Sequence, residues 1–301
     1  ILKCGQCAFY RFSQDSQFNW RKVIYRFNKQ IEKNENQSES RATRPKALIL
    51  DDSTIVKTGK KIEGVSRVHD HVSNTFPIGY KLLGLAWFDG CYGRFLDFSL
   101  VAEKKLKLKR TKKQFSKKRD IKSPGAVRKS ELKKSKITLG CELLTYAIKN
   151  DFIPHFVMTD TWFTCAQLIN KVRSLAKGTI HFLGMIKGGP RKFIYDKKTF
   201  TLGQLRKYVM SQQKRCSRFK SRYIIIDCII PDVGQVRLFF SRFHGNKKWV
   251  ALVTTKMDMT YIEAIETYAI RWNIEIGFKE TKSILGLGKC HANDFDSQIA
   301  H

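Results

Sequence analysis

The chain has 301 residues and carries 57 Lys and Arg against 26 Asp and Glu, a formal charge of +31, with 42% apolar and 12% aromatic residues. That much apolar material can supply the core of one large domain or two modest ones, which excludes a wholly disordered chain. No run of roughly 18 apolar residues occurs and the start lacks the basic-then-apolar order of a signal peptide, so a soluble, cytoplasmic protein is expected.

So large a positive charge calls for a polyanion, and nucleic acid is the abundant one. No strongly basic amphipathic helix with an isolated apolar face argues for a membrane surface instead. Eight cysteines, at 4, 7, 91, 141, 165, 216, 228 and 290, follow no framework and fit reduced thiols. A chain that starts without Met and stops at His301, just after an active-looking helix, reads as a fragment.

Residues 9–33 read as helical, with Phe18, Trp20, Val23, Ile24 and Phe27 at helix-like spacing, and 34–45 as a polar linker. Ala47, Leu48, Ile49 and Leu50 form a short buried strand that stops at Asp51, Asp52, Ser53 and Thr54. Segments 80–88 and 94–100 make a hairpin across Asp89-Gly90-Cys91-Tyr92-Gly93. The stretch 103–136 is dense in cations, from Lys104 and Lys105 to Lys117, Lys118 and Arg119, and reads either as a solvated face or as an arm that grips phosphate.

A helix over 137–150 precedes a second buried strand, 152–158, which stops at Thr159, Asp160, Thr161 and Trp162. A further helix is predicted over 164–176. Short strands at 179–186, 192–195, 222–230, 236–243 and 248–254 then suggest a β-rich insertion. From Thr260 the pattern is helical to about Leu285, where Gly286 and Gly288 break it. The expected organisation is a helical remnant and linker (1–46), the first part of an α/β core (47–177), a β-rich insertion (178–256) and the returning core (257–301).

On a helical wheel at about 100° per residue, Tyr268, Arg271, Glu275 and Lys282 fall within an arc of roughly 60°. Trp272, Ile265, Ile276 and Ile262 flank this polar line on one side, and Ile274, Leu285 and Phe278 on the other. Glu263, Glu266, Asn273 and Gly277 take the remaining sector, expected to be wet. A salt-bridged surface helix, with Arg271 and Glu275 paired at i,i+4, would place only a few tenths of a kcal/mol on that line. An active-site helix explains why it runs between two apolar flanks.

Asp52 and Asp160, at the ends of two strands, can meet Glu275 if those strands are neighbours in one sheet, because ligands gather beyond strand carboxyl ends. Three converging carboxylates would repel unless cations lay between them. Mg²⁺ or Mn²⁺, hard ions that take carboxylate oxygens and leave positions for water and phosphate, answer that need. Two such ions about 4 Å apart can drive in-line attack on a phosphodiester. The chemistry implied is DNA strand cleavage and joining.

Tyr268, Arg271, Glu275 and Lys282, at this spacing, resemble the YREK signature of bacterial insertion-sequence transposases of the DDE class. Asp51-Asp52-Ser53-Thr54 resembles the first acidic motif of that family, Gly64-Val65-Ser66-Arg67 with Asp70-His71 the stretch that follows, and Thr159-Asp160-Thr161-Trp162 the second. The resemblance spans about 47–282. It implies an α/β, RNase H-like mixed-sheet catalytic core with a β-rich insertion ahead of the Glu-bearing helix.

By motif position the resemblance makes Asp52, Asp160 and Glu275 the metal-binding triad. Asp52 is preferred over Asp51 because the family's Asp usually precedes small hydroxyl residues. Tyr268, Arg271 and Lys282 would hold phosphates of double-stranded DNA at the transposon end. The family implies nicking at the element's end, a hairpin step, strand transfer into target DNA, and a homodimer that holds two ends together. It also implies a bacterial host and a place on the nucleoid. An inactive, DNA-binding descendant and a structure-selective nuclease on the same fold are the alternatives.

Weaker signals remain. Cys4 and Cys7 are half a zinc site without a second half. His69 and His71 flank Asp70 and suit a hydrogen-bonded structural role better than metal binding. Trp162 can either stack on an extruded base or pack in the core. Lys57, Lys60 and Lys61 follow the first acidic motif closely enough to contact phosphate.

Overall fold

A computed structural model describes residues 6–35, 44–103 and 114–301. Its helices are α1 (Gln6–Ser13), α2 (Trp20–Glu35), α3 (Pro124–Glu131), α4 (Lys136–Lys149), α5 (Ala166–Ser174), α6 (Leu202–Tyr208), α7 (Tyr261–Ala269), α8 (Trp272–Ser283) and α9 (Phe295–Ala300). The strands are β1 (Ala47–Val56), β2 (Ser66–Arg67), β3 (Ile78–Phe88), β4 (Gly93–Val101), β5 (Phe156–Thr159), β6 (His181–Ile186), β7 (Lys192–Tyr195), β8 (Lys198–Thr201), β9 (Lys214–Cys216), β10 (Ser221–Ile230), β11 (Gly234–Phe243) and β12 (Val250–Thr254).

Among the described residues these strands form one mixed sheet, in the order β2-β3-β1-β5-β6-β12-β11-β10-β7-β8, with β4 on β3 and β9 on β10. β5 runs parallel to both β1 and β6, and the other pairings are antiparallel. The protein therefore has a mixed α/β fold built on a large mixed sheet. Strands from 178–256 continue this sheet, since β6 pairs with β5 and β12 returns beside β6.

The apolar run 47–50 is continuous because both faces of β1 are covered. Leu48 and Leu50 pack with Leu139, Leu143 and Leu144 of α4 and with Leu168 and Val172 of α5. Ala47 and Ile49 belong to the core on the other face, with Ala264 of α7 and Ile274 and Phe278 of α8. Alternation along β1 thus points successive side chains at different helices.

Three predicted elements differ in extent. The helix over 9–33 is two helices, because the Asp15 carboxylate takes the Gln17 N–H (2.8 Å) and the Asn19 side chain takes the Lys22 N–H (3.0 Å), ending one helix and starting the next. The second buried strand starts at Phe156 rather than 152, past Pro154, which has no N–H for a ladder. The helix from Thr260 divides at Ile270 and Arg271, whose N–H groups reach back three residues to Thr267 (3.1 Å) and Tyr268 (3.0 Å), a tighter turn than the α-helix makes.

Cys4 and the cations of 104–113 lie outside the described residues. Cys91, Cys141, Cys165, Cys216, Cys228 and Cys290 are free thiols. Among the described residues no helix is long and apolar enough to cross a membrane.

Candidate active site

β5 stops pairing with β1 at Leu50, opposite Thr159, so a notch opens beside Asp51 and Asp160. Asp160 turns the chain there: its Oδ1 accepts from the backbone N–H of Trp162 (2.9 Å) and Phe163 (3.1 Å). Asp51 points to the face covered by α7 and α8. Its Oδ2 accepts from Arg271 Nη1 at 3.1 Å, and Arg271 Nη2 donates to Glu275 Oε1 at 2.5 Å. One guanidinium therefore joins the first acidic motif to the Glu-bearing helix.

Burial, reinforced by the neighbouring Asp160 charge, pushes the Asp51 carboxyl up to about 7, against the pull of the Asp52 N–H and of Arg271. Arg271 is itself buried, and its Nε has no hydrogen-bond partner. Tyr268 Oη donates to the Thr159 carbonyl at 3.1 Å, which fastens α7 to the end of β5. Burial pushes that phenol up to about 12. Lys282 Nζ donates to Ser53 Oγ at 2.6 Å, and burial lowers its pKa. Three residues of the predicted polar line, Tyr268, Arg271 and Lys282, thus reach β1 or β5, and Glu275 is tied to them through Arg271.

Neither predicted apolar flank of that line is buried throughout. Ile274 and Phe278 sit in the core while Leu285, on their flank, is exposed; on the other flank Ile265 packs against the core while Trp272, Ile276 and Ile262 are exposed. Of the sector expected to be wet, Glu266 is exposed, whereas Gly277 lies under the Phe95 ring and Asn273 against Gly93 of β4. The tightened turn at Ile270 and Arg271 rotates α8 relative to α7, which a wheel of constant pitch does not anticipate.

Asp52 does not come together with Asp160 and Glu275. It occupies the opposite face of β1, where its Oδ1 accepts from Lys136 Nζ at 3.0 Å and its Oδ2 lies 3.5 Å from Lys81 Nζ. The period of two along β1 already separated Asp51 from Asp52, but nothing within the strand says which face the later helix will cover. Lys81 and Lys136, the partners of Asp52, carried no signal in the sequence.

Lys57 is buried and donates to the carbonyls of Gly288 (2.7 Å) and Cys290 (3.0 Å), so it anchors the loop after α8. Lys60 and Lys61 are exposed on the turn that follows β1. Trp162 is 47% exposed, with Lys136 Nζ 3.8 Å from its ring centroid. His69 pairs with Asn74 (3.1 Å), within the turn that Asp70 closes through Ser73.

Among the described residues no three His, Cys, Asp or Glu side chains are gathered tightly enough to hold a metal ion. The donor chemistry nevertheless suits a hard divalent cation, because the notch offers carboxylate oxygens and Arg271 already bridges two of the acids as a cation.

The model of the transposase DDE domain family matches residues 79–301, and the chain belongs to that family. Its function is accordingly that of a transposase, its partner is DNA, and enzymes of this family generally use divalent metals. The match takes in Asp160 and Glu275 and begins after β1. Among curated proteins none matches the chain. Among solved structures, the NurA nuclease from Sulfolobus solfataricus is similar at a TM-score of 0.34 and 9% identity, over 94% of this chain and 98% of that one.

Proposed function

We propose that the protein hydrolyses phosphodiester bonds at the ends of a mobile element and joins the freed 3′-hydroxyl to target DNA, with Asp51, Asp160 and Glu275 as its metal-holding carboxylates. The observation that carries this reading is the Arg271 bridge between Asp51 and Glu275 beside Asp160. Asp51 replaces Asp52 in the triad because Asp52 faces away and is already neutralised by Lys136. In this reading the sheet is that of an RNase H-like core with β6 to β12 as its insertion, and the line of Tyr268, Arg271, Glu275 and Lys282 supports membership of the YREK group of insertion-sequence transposases.

Two Mg²⁺ or Mn²⁺ ions bound by these carboxylates would supply Lewis acidity, activating a hydroxyl nucleophile and stabilising the departing oxygen. The chain's own groups do the rest. Arg271, released from Asp51 and Glu275, offers a fork that fits a phosphate bidentately. Tyr268 holds α7 on Thr159 and so sets the distance between Glu275 and Asp160. Lys282, beside Ser53, brings a point charge to the DNA backbone. A homodimer would hold two element ends at once.

The test is nicking of supercoiled DNA in Mg²⁺ or Mn²⁺. Asp160→Asn and Glu275→Gln should each lose it while still binding DNA. Metal-dependent nicking at the wild-type level in both variants would refute the site. Wild-type protein that binds DNA without ever nicking it would instead mark an inactive descendant.

A further inference from the structure

The turn that carries Asp160 is tied down from within. The Thr164 hydroxyl donates to the Asp160 carbonyl at 2.8 Å and lies 3.0 Å from the Thr159 hydroxyl, and both threonines are buried. Behind them β6 makes room: Gly184 is the register partner of Thr159, and a Cβ there would lie 2.5 Å from Thr164 Oγ1. Oδ1 of Asp160 is taken by the N–H groups of Trp162 and Phe163, so among the described residues Oδ2 is the carboxylate oxygen left free.

The outermost tie comes from the proposed insertion. Arg191 ends the linker between β6 and β7, Lys187-Gly188-Gly189-Pro190-Arg191, and donates from Nη2 to the Thr164 carbonyl at 2.7 Å. The linker lies against the same turn, since Thr161, Lys187 and Gly188 line one cleft of about 450 Å³. Arg191 is half-buried, burial lowers its pKa, and among the described residues no carboxylate pairs with it. It also sits at the N-terminal end of α5, whose cap is Cys165, where the helix dipole disfavours a cation. Stability alone does not place an unpaired, partly desolvated cation there. Arg237 of β11 shows the ordinary arrangement: it donates to the Met259 carbonyl at 3.1 Å but is paired with Asp227 at 2.7 Å.

We propose that Arg191 is a positioning residue for Asp160: by holding the Thr164 carbonyl it fixes the turn in which Oδ2 is free, and so lets the insertion set how tightly the notch binds a divalent ion. The proposal rests on the reading of Asp160 as a metal-holding carboxylate. Two hydrogen bonds, Arg191 to Thr164 and Thr164 to Asp160, carry the effect. Loss of such an outer support weakens metal binding by about 10- to 100-fold.

The full chain, without DNA, is titrated with Mn²⁺ while the free ion is followed by its electron paramagnetic resonance signal. Asp160→Asn should weaken binding and so marks the site. Arg191→Met should weaken it about tenfold, and Arg191→Lys, which keeps the charge and a donor, should recover most of the loss. Thr164→Val, which removes the hydroxyl between Arg191 and Asp160, should reproduce the shift. In nicking assays Arg191→Met should need about tenfold more Mn²⁺ for its half-maximal rate and approach the wild-type rate at saturation. Arg237→Met is the comparison for a purely structural tie: it should lower the melting temperature and leave the Mn²⁺ affinity where it was.

Wild-type Mn²⁺ affinity in Arg191→Met, with Asp160→Asn weakened, would overturn the proposal and leave the metal-holding role of Asp160 standing. Unchanged affinity in Asp160→Asn itself would overturn that role, and the proposal with it. Should Arg191→Met fail to fold, Thr164→Val decides: wild-type affinity in that variant removes the route from Arg191 to Asp160.

Discussion

Asp51 and Asp52 are adjacent in the chain, yet they meet opposite electrostatic surroundings. Asp51 shares a buried notch with Asp160 and has Arg271 as its counter-charge, so its carboxyl is pushed up to about 7. Asp52 sits between two lysines, at 3.0 Å from Lys136 and 3.5 Å from Lys81. A carboxylate that is already neutralised by two fixed ammonium groups has little to gain from a divalent ion, whereas one raised by a neighbouring acid gains a great deal. Asp51→Asn should therefore lose nicking by several powers of ten, as removal of a reacting-site group does. Asp52→Asn should lose no more than about 100-fold, as a supporting group does. Single-turnover nicking rates in Mn²⁺ check this, and the reverse order of the two variants would return Asp52 to the triad.

α8 reaches Asp51 because β3 leaves space for it. Gly84 is the cross-strand partner of Asp51, and a Cβ there would lie 2.9 Å from both the Phe278 and Phe95 rings. Gly84→Ala should push α8 off the sheet at a cost of about 1–3 kcal/mol and lengthen the path from Arg271 to Asp51. Urea unfolding together with nicking rates would show it, and an unchanged midpoint would mean that the rings yield freely. The same helix shows what could be read in the chain and what could not. Periodicity located β1, the β3 and β4 hairpin, α4, α5 and the strands up to β12, because each buries a face with a period of its own. The short elements β8, β9 and α6 bury too little to leave such a pattern. Tyr268, Arg271, Glu275 and Lys282 were legible as one line because i,i+3 and i,i+4 neighbours share a side. The break at Ile270 and Arg271 was not, for it contains neither Gly nor Pro and consists only of shortened hydrogen bonds. The choice between Asp51 and Asp52 depends on which face α8 covers, a property of the tertiary fold alone.

At the scale of the molecule, a chain of charge +31 must place its few acids where they tie distant segments together. Glu63 does this just after β1. Its carboxylate accepts from Arg119 (2.6 Å) and from the backbone N–H of Phe295 (3.0 Å) and Lys117 (3.2 Å), and it pairs with Lys129 of α3. Asp296 of α9 takes Arg119 and Lys117 from the other side, at 3.0 and 2.9 Å. The segment around 114–119, α3 and α9 are thus clamped to the same end of the core that holds β1. Burial alone would raise the Glu63 pKa, but the hydrogen bonds from Arg119, Lys129, Phe295 and Lys117 outweigh it and bring the carboxyl down to about 2. A carboxyl depressed below its ordinary value of 4.5 stabilises the fold fully above that value, and the contribution is lost as pH falls through about 2. Glu63→Gln should therefore lower the melting temperature near neutrality, because it leaves the cations around it short of an anion at a cost of about 3–5 kcal/mol. As pH falls from 5 to 2 the wild-type protein should lose stability toward the variant, and the gap between their melting temperatures should narrow. Calorimetric melting across that range measures the gap; one that stays constant with pH would show that Glu63 contributes through packing rather than charge.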